Sequence, residues 1–230
     1  MRAFLGILAA IFLSACSSGR AEPRTPISVL TSLPLFWGEG GTQAIITSAD
    51  QRAPVIRHLS ETHILKPLDH LDASSLAQSP LLLVAQPRGL LPPELVALDD
   101  WIRSGGRALI FADPLLVWPS SYALGDKRRP PPITLLDPLL AHWGIELESP
   151  EGNAPTEGVL RIGKNTGLGA GMGVLTTKSA SCQSSSDRRW IGCDLGKGKL
   201  VLVGDADILN FDSYPGNAAA IDSLIERLET

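Results

Sequence analysis

From residue 27 onward, short apolar runs alternate with polar breaks marked by glycine and proline. Residues 27–33 (ISVLTSL) stop at Pro34 and predict a first buried strand. In residues 79–86 (SPLLLVAQ), the four successive apolar positions from Leu81 to Val84 predict a strand covered on both faces, as in a parallel sheet. The spacing of Leu95, Leu98, Trp101 and Ile102 predicts a helix over 92–104. Pro92 and Pro93 sit where a first turn tolerates them, and Gly105 with Gly106 ends the helix. Residues 107–112 (RALIFA) follow at once as another strand. Strand, helix and strand over 81–112 therefore form a right-handed parallel crossover.

Weaker signals fill in the rest. Residues 51–59 predict a short helix, and Ile64 and Leu65 a weak strand. Residues 135–143 predict a helix closed by Gly144, followed by a short strand over 145–147. Residues 151–173 are rich in glycine and read as loop, apart from a small strand over 159–162. Residues 176–182 and 190–195 predict hairpin strands, and 199–203 (KLVLV) the last buried strand. Asn217 is placed to cap a terminal helix whose apolar face is Ile221, Leu224, Ile225 and Leu228. The expected fold class is α/β: an open, mostly parallel sheet with helices on both faces and a C-terminal β-hairpin.

The N-terminus changes the picture. Arg2 precedes an apolar run over 3–13, shorter than the ~20 residues that span a bilayer. Leu13-Ser14-Ala15-Cys16 then resembles the lipobox of bacterial lipoproteins. The resemblance implies cleavage before Cys16 and acylation of that residue, with several acyl chains giving a stable anchor. Ser17, in place of Asp, points by analogy to the outer rather than the inner membrane, on the periplasmic side. The expected organisation is a signal peptide over 1–15, a flexible tether over 16–26, and a single α/β domain over 27–230.

Composition narrows the function classes. A hydrophobic content of 44% with 19% charged residues fits a globular chain, and a net charge of −4 without a basic tract argues against nucleic acid as a partner. Cys182 and Cys193 form an even pair suited to an oxidising compartment. A hairpin would set them opposite each other as a disulfide, the alternatives being two buried thiols or a metal site.

Several polar residues fall just after apolar runs, where open α/β sheets hold ligands. They are Ser32, Gln86, Asp113, Asp205 and Asp207, with Glu39 on the loop after the first strand. Carboxylates converging on one crevice would suit an oxygen-ligated cation or acid–base work; alternatively, each caps a turn, as Asp113 before Pro114 would. Phe36 and Trp37, between Pro34 and Gly38, are candidate partner anchors, with Trp118 and Tyr122 able to join them. No G-x-S-x-G elbow occurs, and the spacings of His58, His63, His70 and His142 match no zinc signature. Residues 167–173 (GLGAGMG) read as a mobile loop rather than a phosphate cradle, and 127–132 (KRRPPP) as an exposed loop.

Three segments resemble, in order, the periplasmic domain of gliding-motility-type ABC transporter accessory proteins. They are LDDWIRSGGRALIFADP, LLDPLLAHWGIEL and GKGKLVLVGDADIL. The resemblance implies a fold similar to class I glutamine amidotransferases, flavodoxin-like in outline. The amidotransferase nucleophile has no counterpart at Gln86-Pro87-Arg88-Gly89. The expectation is a non-enzymatic, lipid-anchored protein without cofactor or metal, binding an envelope protein, transporter or ligand at the strand ends. The runner-up is a metal-dependent hydrolase using Asp113, Asp205 and Asp207.

Overall fold

The computed structural model describes residues 24–39, 51–78 and 80–229. The leader, Cys16 and the first part of the tether lie outside the described residues. The elements are β1 (Thr25–Thr31), α1 (Pro54–Thr62), β2 (His63–Leu68), α2 (Ala73–Leu76), β3 (Leu81–Ala85), α3 (Pro92–Arg103) and β4 (Arg107–Phe111). There follow α4 (Asp137–His142), β5 (Ile145–Glu148), β6 (Glu157–Ile162), β7 (Asn165–Ala170) and β8 (Val174–Thr177). The chain continues through β9 (Cys182–Ser184), β10 (Trp190–Leu195), β11 (Gly198–Val203) and α5 (Ala218–Glu229).

The main sheet has seven strands in the order β2-β1-β3-β4-β11-β10-β9. The first five of these are parallel, and β10 and β9 add an antiparallel margin. Parallel strands in this order form a doubly wound sheet of the flavodoxin-like type, whose winding reverses between β1 and β3. The expected fold class holds.

The continuous apolar runs are explained by burial on both faces. Ile27, Val29, Leu81, Leu83, Leu109, Phe111, Val201 and Val203 point to one side, where α1 and α5 cover them. Leu30, Leu82, Val84, Ala108, Ile110, Leu200 and Leu202 point to the other, against α3 and α4. Alternate residues of one strand thus feed two cores, and each strand is apolar throughout.

Cys182 and Cys193 are directly opposed across β9 and β10 and form a disulfide. In the chain-entropy model a closed loop of this size contributes about 2–3 kcal/mol. It pins β9, a strand of three residues, at the open margin of the sheet.

Two expectations need correction. The glycine-rich stretch is not a loop: residues 165–170 form β7, paired antiparallel with β6. Asn217 does stand just before α5, but its side chain is used elsewhere. Its amide exchanges hydrogen bonds with the backbone of Leu168 in β7 and donates to the Ile208 carbonyl. Tertiary contacts claim the group that local pattern assigns to a cap.

One polar tie holds the helical layer beneath β3. Glu94, in the first turn of α3, accepts from the Arg88 guanidinium through both carboxylate oxygens and from the backbone N–H groups of Leu71 and Leu91. The bond to Leu91 is one half of a capping box. The hydrogen bonds from Arg88 are the main reason the Glu94 carboxyl falls to about 2, against the opposing effect of burial. A carboxyl whose pKa is lowered on folding adds stability above its unfolded value, and that stability is lost as pH falls toward the folded value. We expect the wild type to lose about 1–2 kcal/mol from this group between pH 5 and pH 2, with half-exposed Arg88 screened by solvent. Urea titrations of Glu94→Gln should show a matching deficit at pH 7 that disappears near pH 2; an equal deficit at both pH values would contradict the tie.

Candidate functional site

The carboxyl ends of the parallel strands carry a continuous polar belt. Gln86, which follows β3, has a left-handed backbone (φ 40°) that turns the chain out of the sheet. The buried Gln86 side chain replaces a strand pairing with the next strand end. Its Oε1 accepts from the Asp113 N–H at 2.9 Å, and its Nε2 donates to the carbonyls of Asp113 and Pro131. Ser32, after β1, donates from its hydroxyl to the Gln86 carbonyl.

Asp113 continues the belt after β4. Its Oδ1 accepts from Leu115 N–H at 2.8 Å, and its Oδ2 from Ala206 N–H at 2.9 Å, across to the loop after β11. Asp205 Oδ1 accepts from Ile208 N–H at 3.0 Å and caps the 3₁₀ turn Asp207–Leu209. Asp207 Oδ2 accepts from Val117 N–H at 2.7 Å, back to the loop after β4. Asp113 and Asp207 therefore lace two loops together, while Asp205 braces its own loop. The three carboxylates do converge, with one oxygen from each within 4.8 Å of the others. Among the described residues this is the only His, Cys, Asp or Glu cluster with metal-site spacing. They do not, however, line an open crevice: their exposures are 0%, 0% and 2%.

Burial explains their electrostatics. Desolvation raises Asp113 to about 6 and Asp207 to about 7, outweighing the backbone hydrogen bonds that favour the ionised forms. Asp205 is raised well above the usual carboxyl range: burial comes first, and the charges of Asp113 and Asp207 add to it.

β7 lies over this cluster, and its glycines are required by the contact. A Cβ on Gly169 would sit 2.0 Å from Asp205 Oδ2, and one on Gly167 would sit 2.6 Å from Ile208 Cδ1. The strand approaches the acids as closely as it does because it has no side chains there.

The open crevice lies to one side, at the ends of β1 and β2. It encloses about 400 Å³ and is lined by residues that include Ser32, Phe36, Trp37, Glu39, Tyr122 and Arg128. Trp37 is 59% exposed, while Phe36 is half-buried against the core, with the two ring centres 6.2 Å apart. Glu39 accepts from Ser121 N–H and Oγ. Burial opposes its ionisation, but hydrogen bonds from Ser120 and Ser121 leave its carboxyl below the usual range. The Arg128 guanidinium lies over the Tyr122 ring at 4.2 Å and pairs with Asp126.

The predicted site residues thus divide in two. Ser32, Phe36, Trp37 and Glu39 meet at the crevice, with Ser32 also in the belt; Gln86, Asp113, Asp205 and Asp207 belong to the buried belt. Tyr122 joins the crevice as anticipated, whereas Trp118 packs against the core. Arg128 was unanticipated: KRRPPP reads as solvated loop, and its Pro131 carbonyl and Arg128 side chain both turn out to serve the strand ends. His58, His70 and His142 each pair singly with a carboxylate.

The fold is an open, doubly wound α/β sheet whose crevice lies at the ends of β1 and β2, on the far side of β1 from the winding reversal. The chain belongs to the family described as ABC-type uncharacterized transport system, which matches residues 24–151, and its role is accessory to such a system. No curated protein matches the sequence. Similar solved structures include the cytoplasmic protein STM1381 from Salmonella typhimurium LT2, at 11% identity and TM-score 0.52, over 89% of this chain and 99% of that one. A cold-adapted beta-galactosidase from Rahnella sp. R3 matches at 10% identity and TM-score 0.51, over 90% of this chain and 31% of that one. Exo-beta-1,4-mannosidase Op5Man5 from Opitutaceae bacterium strain TAV5 matches at 11% and TM-score 0.49, over 90% and 34%. The chain spans about a third of the length of these two glycosidases. Identities this low concern the fold alone.

The glycine contact generates a prediction of unusual sign. An Ala in place of a strand Gly normally strengthens a strand. Gly169→Ala should instead destabilise by about 1–3 kcal/mol, because the Asp205 carboxyl and β7 must move apart. Gly216→Ala, with nothing within 4 Å of the new Cβ, should stay within about 0.5 kcal/mol of wild type. Thermal melts of the two variants check this, and equal behaviour would contradict it.

Proposed function

We propose that this chain is a non-enzymatic lipoprotein, anchored through Cys16 on the periplasmic side of the envelope, that presents its strand-end crevice to a protein of an ABC-type transport system. The family membership supports the transport setting. The observation that carries the rest is the division at the strand ends. The acids that a hydrolase would use are buried and engaged by backbone N–H groups, while an exposed tryptophan stands at the open crevice. A large aromatic at a crevice is a frequent anchor for a partner.

The topology supports a particular orientation. All five parallel strands start on the rim where Thr25 enters, and end on the rim that carries Trp37. Cys16 precedes Thr25 by nine positions, a reach of about 30 Å at full extension. The tethered rim faces the membrane and the crevice faces away from it, toward a partner in the periplasm. Among the described residues no helix is long and apolar enough to cross a membrane. The attachment in this reading is the acylated cysteine. By the sorting analogy, Ser17 supports an attachment in the outer membrane.

Two measurements test the proposal. Metabolic labelling with an alkyne palmitate should mark the wild type and leave Cys16→Ser unlabelled. Affinity purification from crosslinked envelopes should recover an ATPase–permease pair, with recovery reduced at least fivefold in Trp37→Ala. Recovery of the lipoprotein alone, or unlabelled wild type, would overturn the reading.

A further inference from the structure

The buried acid cluster has a problem that the belt does not solve. Asp113, Asp205 and Asp207 bring three carboxylates together in the interior, and no lysine, arginine or histidine pairs with any of them among the described residues. Backbone N–H groups satisfy both oxygens of Asp113, Oδ1 of Asp205 and Oδ2 of Asp207. Asp205 Oδ2 is buried, belongs to a residue with 0% exposure, and has no hydrogen-bond partner. A buried, unpaired carboxylate oxygen is among the costliest groups a fold can hold. Gly169 packs its backbone directly against this oxygen, where any Cβ would fall 2.0 Å from Oδ2.

We propose that Asp113, Asp205 and Asp207 bind one hard divalent cation, with calcium as the preferred ion. The ligand chemistry points that way: three carboxylates with no imidazole or thiolate suit calcium or magnesium rather than zinc or copper. The oxygens lie within 4.8 Å of one another, close enough for a single ion to touch all three. Magnesium bonds are about 2.1 Å and usually keep several waters, which a buried site disfavours.

The chain is organised to hold such a site. Asp205 and Asp207 are two positions apart on one turn, and the N–H of Ala206 between them binds Asp113 Oδ2. The N–H bonds fix one face of each carboxylate before any ion arrives. A bound cation would join the loop after β4 to the loop after β11 and would supply the missing partner of Asp205 Oδ2. Its role is structural: it stiffens the strand-end rim and touches no substrate.

The test uses the full-length protein in detergent, stripped with EDTA and dialysed against calcium or magnesium. The wild type should retain one calcium per chain by elemental analysis. Its melting temperature should rise by about 5–10 °C at a hundredfold excess over Kd. Asp205→Asn should lose the ion and the rise, while Asp194→Asn, at an exposed acid outside the cluster, should keep both. One magnesium per chain, lost in Asp205→Asn, would also support the site. Should Asp205→Asn fail to fold, stoichiometry in wild type and Asp194→Asn decides. No retained ion and no shift with either metal, or binding undiminished in Asp205→Asn, would overturn the proposal.

Discussion

Backbone N–H groups at the ends of parallel strands must find acceptors when the loops that follow are buried, and in this protein side chains provide them. Gln86 joins the end of β3 to the end of β4, and Ser32 joins the end of β1 to Gln86. Asp113 and Asp207 cross-connect the loops after β4 and β11 in opposite directions. Four strand ends are thereby fixed relative to one another without a regular ladder. Everything positioned on that rim depends on this belt, including the crevice between β1 and β2 and the loop that carries Trp37.

The same belt explains the least expected element. β7 carries almost no side-chain mass where it crosses the acids, so its backbone rests directly on Asp205 and Ile208. Asn217 clips it from above to the 3₁₀ turn that Asp205 caps. Aspartates, glycine strand and asparagine clip form one unit in which each part occupies the space the others leave. Removal of bulk is the means by which the polar groups are buried, with every carboxylate held by at least one backbone N–H.

The parallel core was legible in the sequence because burial on both faces leaves an unmistakable trace: unbroken apolar runs at 81–84 and 200–203, with a capped amphipathic helix between the first of them and the next strand. The disulfide was legible because ten residues with turn chemistry separate two cysteines in an otherwise cysteine-poor domain. The glycine strand was not. Gly167 and Gly169 emit the same local signal whether a segment is loose or pressed against a neighbour, and the neighbour, Asp205, lies 36 positions beyond Gly169. The aspartates were legible as strand-end residues, but whether a strand end opens to solvent is decided by what later folds over it. Arg128 reaches the crevice from 91 positions beyond Trp37, a juxtaposition that periodicity cannot encode. The family match over residues 24–151 covers four of the five parallel strands, while β7, β11 and the second half of the belt lie beyond it.

An accessory protein of a transport system has to offer a partner a surface of fixed shape, and here that shape rests on amides outside the ladder of the main sheet. Hydrogen–deuterium exchange of the native chain measures this directly. The amides of Leu115, Val117, Ala206 and Ile208 lie in loops, yet the account predicts that they exchange as slowly as those of β4 and β11. Exchange at the rate of ordinary surface loops would contradict it, because the strand ends would then be held by something other than their aspartates.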